Sequence, residues 1–301
     1  MLTSKFIKET ALKLGAADVG IGDIKYFANE IPQRDPKMIL PDAKCVIGFA
    51  FRVPRAYYYA MKEEKQFYQY GDVGVKYIDE ELSEIFLLKM GGIIEDAGFD
   101  ACLQRNVSNL KIKGDKTTNP EVIGTYELVH VQSVSKDKVA PEIIIDFNKA
   151  AVICNLGSIG ASGHLISPKL GPFLRLVFIV TDAPLECDEP FKGNLCDNCN
   201  KCMTSCPGKA ISPAGLNTWQ CAVYYRGAHK SNPFMTDDFL ENHPNKEAII
   251  NGDYVFDSKT ALEIYPHLDF LPSRVTRYMP CLCGKKCDIA CYEHLKEKGI
   301  L

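Results

Sequence analysis

The chain has no apolar run approaching the ~18–20 residues of a membrane span; its longest, residues 176–180, is strand-sized. Its first ten residues carry neither a long apolar core nor a twin-arginine pair, so no signal peptide is expected. No sign of charge dominates: 35 Lys and Arg stand against 38 Asp and Glu, a formal net charge of −3. That balance leaves no global electrostatic footprint for nucleic acid or an anionic membrane, and neither partner is expected. The six histidines include no HExxH and no paired-ligand spacing, so a separate zinc site is not expected. Solenoid-length repeats and low-complexity segments are also lacking. With 46% hydrophobic and 24% charged residues, the 301-residue chain is not disordered, collagen-like or coiled-coil in composition. Its length suits one large domain or two ordinary ones.

What the chain does have is 13 cysteines. At about 4% of residues they fall well below the ~8–10% of a disulfide scaffold. The count is odd, and with no secretion signal the expected setting is a reducing cytoplasm without disulfides. Four cysteines (Cys45, Cys102, Cys154 and Cys187) are scattered through the first 190 residues, and nine fall in the last third. Cys45 and Cys154 sit in apolar strings, where a free cysteine behaves as a small buried hydrophobe.

The first two-thirds of the chain alternates helix-like and strand-like patterns. Phe6, Ile7, Ala11 and Leu14 share a helical face, with Gly15 as a stop. Residues 17–24, 44–51, 123–134 and 174–181 read as strands, and residues 79–97 and 143–154 as helices. Residues 105–120 read as a loop or hairpin. A tyrosine-rich stretch between Tyr57 and Tyr77 could wall a planar ligand or simply pack. This alternation argues for a layered α/β or α+β domain. Near residues 182–184 the texture becomes cysteine- and loop-rich. The expected division is therefore residues 1–185, a cofactor and substrate domain, and residues 186–301, a ferredoxin-like domain.

The chemistry lies in Cys196-Asp-Asn-Cys199-Asn-Lys-Cys202-Met-Thr-Ser-Cys206-Pro207, a C-x2-C-x2-C-x3-C-P run. This is the bacterial ferredoxin spacing, in which three thiolates wrap one cluster and the fourth ligates another. A tetrahedral zinc site would instead pair its four ligands two by two. A second cluster then needs further thiols, and Cys221 and the run Cys281-x-Cys283-x3-Cys287-x3-Cys291 supply them. Cys287-x3-Cys291 mirrors Cys202-x3-Cys206, so Cys291 should return to the first cluster. The expected ligands are Cys196, Cys199, Cys202 and Cys291 for one [4Fe-4S] cluster. Cys206, Cys221, Cys287 and Cys283, or else Cys281, would hold the other.

Taken in order, these pieces resemble the family of epoxyqueuosine reductases and reductive dehalogenases. The resemblance runs through the Ala17-Asp-Val-Gly-Ile-Gly opening, the segment from Pro36 to Phe51, and the loop Ala150-Ala-Val-Ile-Cys-Asn-Leu-Gly157-Ser-Ile-Gly160. It continues through the strand before Asp182 and ends on the isolated Cys221 ahead of Ala-Val-Tyr-Tyr. It implies a nitroreductase-like N-terminal domain holding cobalamin, with flavin as the alternative, fed by two [4Fe-4S] clusters. An external ferredoxin or flavodoxin would supply electrons, and a small-molecule substrate would receive them. It also implies that Gly157, Gly160 and Gly163 form a cofactor loop, since glycine admits close backbone approach. The segment from Tyr126 to Glu142 would face the active site, which nominates Tyr126 and Lys138 as proton donors ahead of His130 and Asp137. Three departures from the family pattern stand out. Lys138 occupies the place of the family's aspartate, Ser158 and Ala161 replace a tryptophan and a lysine, and Tyr292 rather than proline follows Cys291. The expected activity is thus an iron–sulfur reductase acting on a small molecule. The competing reading is a non-catalytic two-cluster electron carrier docking a partner enzyme.

Overall fold

The two most apolar strings in the N-terminal part, Cys-Val-Ile-Gly-Phe-Ala-Phe and Leu-Val-Phe-Ile-Val, become the central strands of one sheet. The computed structural model describes residues 2–105, 110–113, 127–130, 143–271 and 280–301. Its strands begin with β1 (Asp18–Asp23), β2 (Cys45–Arg52) and β3 (Ala101–Gln104). There follow the pairs β4 (Leu110–Lys113) with β5 (Glu127–His130) and β6 (Ser158–Ile159) with β7 (Leu165–Ile166), and then β8 (Leu174–Thr181). The sheet order is β1-β2-β8-β3, and every neighbouring pair is antiparallel. The mixed α/β expectation therefore resolves into an antiparallel sheet with helices on both faces.

Both faces of β2 and β8 are buried, which is why their sequences are unbroken apolar runs rather than alternating ones. On one face Cys45, Ile47, Phe49, Phe51, Val177 and Ile179 share a core with helices α1 (Ser4–Lys13), α3 (Arg55–Lys62) and α4 (Ser83–Asp96), while the short α2 (Pro36–Ile39) precedes β2. On the other face Val46, Phe178 and Val180 meet Ala150, Ile153 and Cys154 from α5 (Phe147–Ile153) and its cap. Three expectations shift in detail. Phe6 is exposed, because the buried stripe of α1 centres on Ile7 and Ala11. The helix expected from residue 79 starts earlier, as a wide-turned π-helix over Tyr70–Leu82 that runs into α4, since Tyr70, Val75 and Ile78 also reach the core. Helix α5 is shorter than expected, because the Asp146 side chain caps it by accepting the Lys149 N–H at 3.1 Å.

Beyond β8, residues 182–200 contain no helix or strand. This strap is tied down by Asp188, whose N–H donates to the Ile21 carbonyl at 2.7 Å. The Asp188 carboxylate accepts the Ile21 N–H at 2.8 Å and Lys8 Nζ at 2.5 Å. Further along, the Phe191 N–H reaches the Val152 carbonyl, and the Leu195 N–H reaches Ser158 Oγ at 2.9 Å. The remaining C-terminal elements are α6 (Lys201–Ser205), β9 (Ile211–Ser212), β10 (Gly215–Leu216), α7 (Thr218–Tyr225), α8 (Lys246–Ile250), α9 (Ser258–Ile264) and α10 (Lys286–Glu297). Val223, Tyr224, Phe239, Ile249, Phe256 and Ile264 build a separate small core among them. Helix α10 instead returns to the first core through Ile289 and Tyr292. There Tyr58, Phe173 and Tyr292 form a continuous ring stack, with centroids 3.7 and 4.4 Å apart. No helix among the described residues is long and apolar enough to cross a membrane.

Candidate functional site

The Cys196–Cys202 loop turns its thiols to one side by placing Asn198 and Asn200 at φ 58° and 61°, a conformation asparagine tolerates better than most residues. Cys202 then starts on α6, and α10, packed against α6, brings Cys291 alongside. Cys196, Cys199, Cys202 and Cys291 line one small cavity together with Gly160, Ala161 and His294. The Ala161 N–H points at Cys196 Sγ from 3.4 Å. Above Cys199, Asp197 binds His294 Nε2 at 2.9 Å and Lys298 Nζ at 2.5 Å, and these partners hold its carboxyl well below the usual range. Cys199 is the exposed member of this quartet.

A second cavity is lined by Cys206, Cys221, Cys283 and Cys287. Gly284 and Lys285, at φ 62° and 50°, reverse the chain between Cys283 and Cys287. The Ala210 N–H lies 3.3 Å from Cys206 Sγ. Cys281 is fully buried, its sulfur 3.8 Å from that of Cys283, and it is absent from the residues lining this cavity. Burial pushes the Cys221 thiol up to about 11 and that of Cys291 up to about 12. It raises Cys202 and Cys287 as well. Buried thiols of this kind give up their protons when a cationic metal centre compensates the charge, so both donor sets fit an iron–sulfur cluster.

A third cavity, of about 260 Å³, borders the second. Its walls include Tyr58, Tyr70, Asn148, Gly163, Arg175 and Asp288. His164 and Lys285 line both this chamber and the Cys206/Cys221/Cys283/Cys287 cavity, and so form the partition between them. Asp288 organises the partition: its carboxylate sits 2.8 Å from His164 Nδ1 and 3.3 Å from Lys285 Nζ. Burial opposes the Asp288 charge, but Lys285 and His164 outweigh it and hold the carboxyl well below its ordinary value. Burial also opposes the Lys285 ammonium. Asp288, Tyr70 and the nearby thiols reverse that effect and keep it well above the usual lysine value. Burial moves the Tyr70 phenol up to about 12, so it is a neutral donor at physiological pH. Arg175 is held in a bidentate pair with Asp79.

Gly163 lines the chamber and Gly160 the first thiol cavity, whereas Gly157 has a packing reason of its own. A Cβ on Gly157 would fall 2.0 Å from the Ile166 carbonyl oxygen, at a φ of 152°. Of the tyrosine-rich stretch, Tyr58 and Tyr70 reach the chamber, while Tyr77 is exposed. Tyr126, Asp137 and Lys138 lie outside the described residues, and for His130 only the backbone is described. His164, Lys285, Asp288 and Arg175 were not singled out from the sequence. The available hint was an acidic residue in the first turn of a helix, directly after the cysteine Cys287.

No family model matches the chain. Among curated proteins, the epoxyqueuosine reductase of Synechococcus sp. (strain RCC307) is 38% identical over 71 residues, 23% of this chain and 22% of that protein. The tetrachloroethene reductive dehalogenase of Sulfurospirillum multivorans is 38% identical over 65 residues, 21% of this chain and 13% of that protein. The matched stretches thus span about a fifth or less of these relatives' length. Among solved structures, the epoxyqueuosine reductase from Streptococcus thermophilus superposes with a TM-score of 0.50 at 15% identity, covering 86% of this chain and 65% of that one. The chain is therefore similar in part of its sequence to epoxyqueuosine reductases and reductive dehalogenases, and similar in fold to an epoxyqueuosine reductase.

Proposed function

We propose that the protein is an iron–sulfur oxidoreductase that carries low-potential electrons through two [4Fe-4S] clusters into the chamber beside the second. The observation that carries this reading is the shared wall. His164 and Lys285 face both the thiols of Cys206, Cys221, Cys283 and Cys287 and the 260 Å³ chamber. In this reading residues 1–185 supply most of the chamber, and residues 186–301 supply the cluster thiols. Electrons would enter from a ferredoxin or flavodoxin at the quartet that includes the exposed Cys199. They would leave from the quartet behind the partition.

The clusters, when bound, supply one-electron transfer at low potential. The chain's own residues do the rest. Tyr58, Tyr70 and Phe147 give the chamber apolar and aromatic walls, while Asn148, Lys285 and Arg175 offer donors to a small polar or anionic acceptor. Asp288 fixes the His164 ring through Nδ1, which leaves Nε2 as the nitrogen able to hold a proton for the acceptor. Tyr126 and Lys138 are further proton-donor candidates.

The described chamber lies below the ~300–1,000 Å³ of drug-sized ligand sites. A corrinoid is larger than such ligands, so these walls do not enclose one, and a small acceptor fits them better. The family likeness still makes cobalamin the first candidate for a second cofactor, with flavin the alternative. The experiment is anaerobic reconstitution followed by separate additions of cobalamin and flavin to the iron-replete protein. Reductase function predicts that one of them binds with at least about micromolar affinity, or that a small acceptor reoxidises dithionite-reduced clusters faster than solvent does. If neither happens, the non-catalytic carrier takes its place.

A further inference from the structure

Eight of the nine cysteines in the last third fall into the two quartets, and Cys281 is left over. It has no exposed surface and does not line the second cavity, yet its sulfur lies 3.8 Å from that of Cys283, which does. At that distance one sulfur can donate its hydrogen to the other. The backbone fixes this arrangement. The Cys281 N–H donates to the Phe67 carbonyl at 3.2 Å, the Leu282 N–H donates to the Tyr225 carbonyl at 2.9 Å, and the Cys281 carbonyl accepts the Gly284 N–H at 3.2 Å. Cys281 also packs in the same core as Tyr70, Ile289 and Tyr292.

While both are thiols, either sulfur can be the donor. Iron binding fixes the direction, because a ligand cysteine is a thiolate and carries no hydrogen. With Cys283 bound to iron, only the Cys281 S–H can donate and only Cys283 can accept. Cys281 is fully buried, so no water competes for that hydrogen. A donor on a ligand sulfur draws negative charge away from the cluster. It therefore stabilises the reduced cluster, which carries one more negative charge, more than the oxidised one. The other polar neighbours of this quartet do not depend on Cys281. The Ala210 N–H lies 3.3 Å from Cys206 Sγ, and the Asp288 carboxylate, 3.7 Å from Cys287 Sγ, is countered by the Lys285 ammonium.

We propose that Cys281 is not a cluster ligand but acts through Cys283, as the hydrogen-bond donor that raises the reduction potential of the second cluster. The inference rests on the reading that Cys206, Cys221, Cys283 and Cys287 hold a [4Fe-4S] cluster. No bond is made or broken in the step: the cluster takes up one electron, and Cys281 keeps its proton. A higher potential at this cluster draws electrons from the first quartet towards the partition and the chamber behind it. A thiol is a weak donor, so the shift is modest and confined to one cluster.

The test is an EPR-monitored redox titration of the anaerobically reconstituted wild type, Cys281→Ala and Cys281→Ser, with iron measured on each. The signal of the second cluster is the one that Cys287→Ser perturbs. All three proteins should hold about eight iron per chain. Cys281→Ala should move the second midpoint to a more negative potential and leave the first unchanged. Cys281→Ser, which keeps a donor at that position, should lie closer to the wild type. The proposal is overturned by an unmoved or more positive second midpoint in Cys281→Ala, or by a Cys281→Ser midpoint as negative as that of Cys281→Ala. Loss of about four iron from both variants also overturns it, since Cys281 would then be a ligand. A wild type with only about four iron would instead overturn the two-cluster reading beneath it.

Discussion

Asp288 offers a quantitative test of the partition between thiols and chamber. Its side chain is 5% exposed and holds two partners, the Lys285 ammonium at 3.3 Å and the His164 ring at 2.8 Å. The Lys285 side chain is itself only 18% exposed. Asp288→Asn keeps the size and one acceptor oxygen but removes the charge, leaving a largely buried ammonium without its counterion. Breaking such a pair from one side costs about 3–5 kcal/mol, because the remaining charge is desolvated and uncompensated. For a chain of this length about 2 °C per kcal/mol applies, so the apparent Tm of the reconstituted protein should fall by roughly 6–10 °C. The double variant Lys285→Met with Asp288→Asn removes both charges and should regain most of that loss. Anaerobic thermal unfolding of the wild type, Asp288→Asn, Lys285→Met and the double variant, with iron content measured on each, reads the cycle. A drop below about 2 °C for the single variant, or no recovery in the double, would refute the argument that this ion pair organises the partition.

Three further outcomes follow from the same geometry. Gly157→Ala, whose Cβ would overlap the Ile166 carbonyl oxygen at 2.0 Å, should cost more than about 3 kcal/mol. Gly160→Ala, which meets the movable end of the Ile166 side chain at 2.7 Å, should cost about 1–2 kcal/mol; chemical denaturation of both variants compares the two. His229 is 1% exposed, and burial lowers its pKa from 6.5 to about 4, so the neutral ring is the folded form. Its contribution is therefore complete above the unfolded value and is lost as pH falls from about 6.5 towards 4, by up to ~3 kcal/mol. Unfolding across that range should show a slope that His229→Gln reduces, and an unchanged slope would contradict the assignment. Tyr58→Leu should loosen the ring stack with Phe173 and Tyr292 by about 1 kcal/mol beyond the lost area, readable against Tyr58→Phe in the same melts.

The parts legible in the sequence were those with short-range causes. Strand β8 was bounded by its apolar run, and the cysteine run from Cys196 to Cys206 stood out by its spacings of two and three residues. The chamber was not legible, because its walls come from residues as distant as Tyr58, His164, Arg175 and Asp288 and meet only after the sheet and α10 have packed. Lys285 was hidden inside a cysteine run, where spacing draws the eye to the sulfurs and a lysine reads as solvated surface. The π-helix over Tyr70–Leu82 was missed for a related reason. Its turns widen to accommodate core contacts of Tyr70, Val75 and Ile78, and a 3.6-residue period does not show that. Gly157 was nominated for a ligand, but a close backbone approach within the β6–β7 hairpin accounts for it.

The central claim is that two separate thiol quartets each hold a four-iron cluster, with the chain crossing over at Cys206 and Cys291. The most direct measurement is iron and sulfide analysis with EPR on the anaerobically reconstituted wild type and on Cys291→Ser and Cys287→Ser. The account predicts about eight iron and about eight sulfide per wild-type chain, and two distinguishable reduced-cluster signals. Cys291→Ser should perturb one signal and Cys287→Ser the other, since the two thiols line different cavities. About four iron per wild-type chain, or the same signal perturbed in both variants, would contradict it.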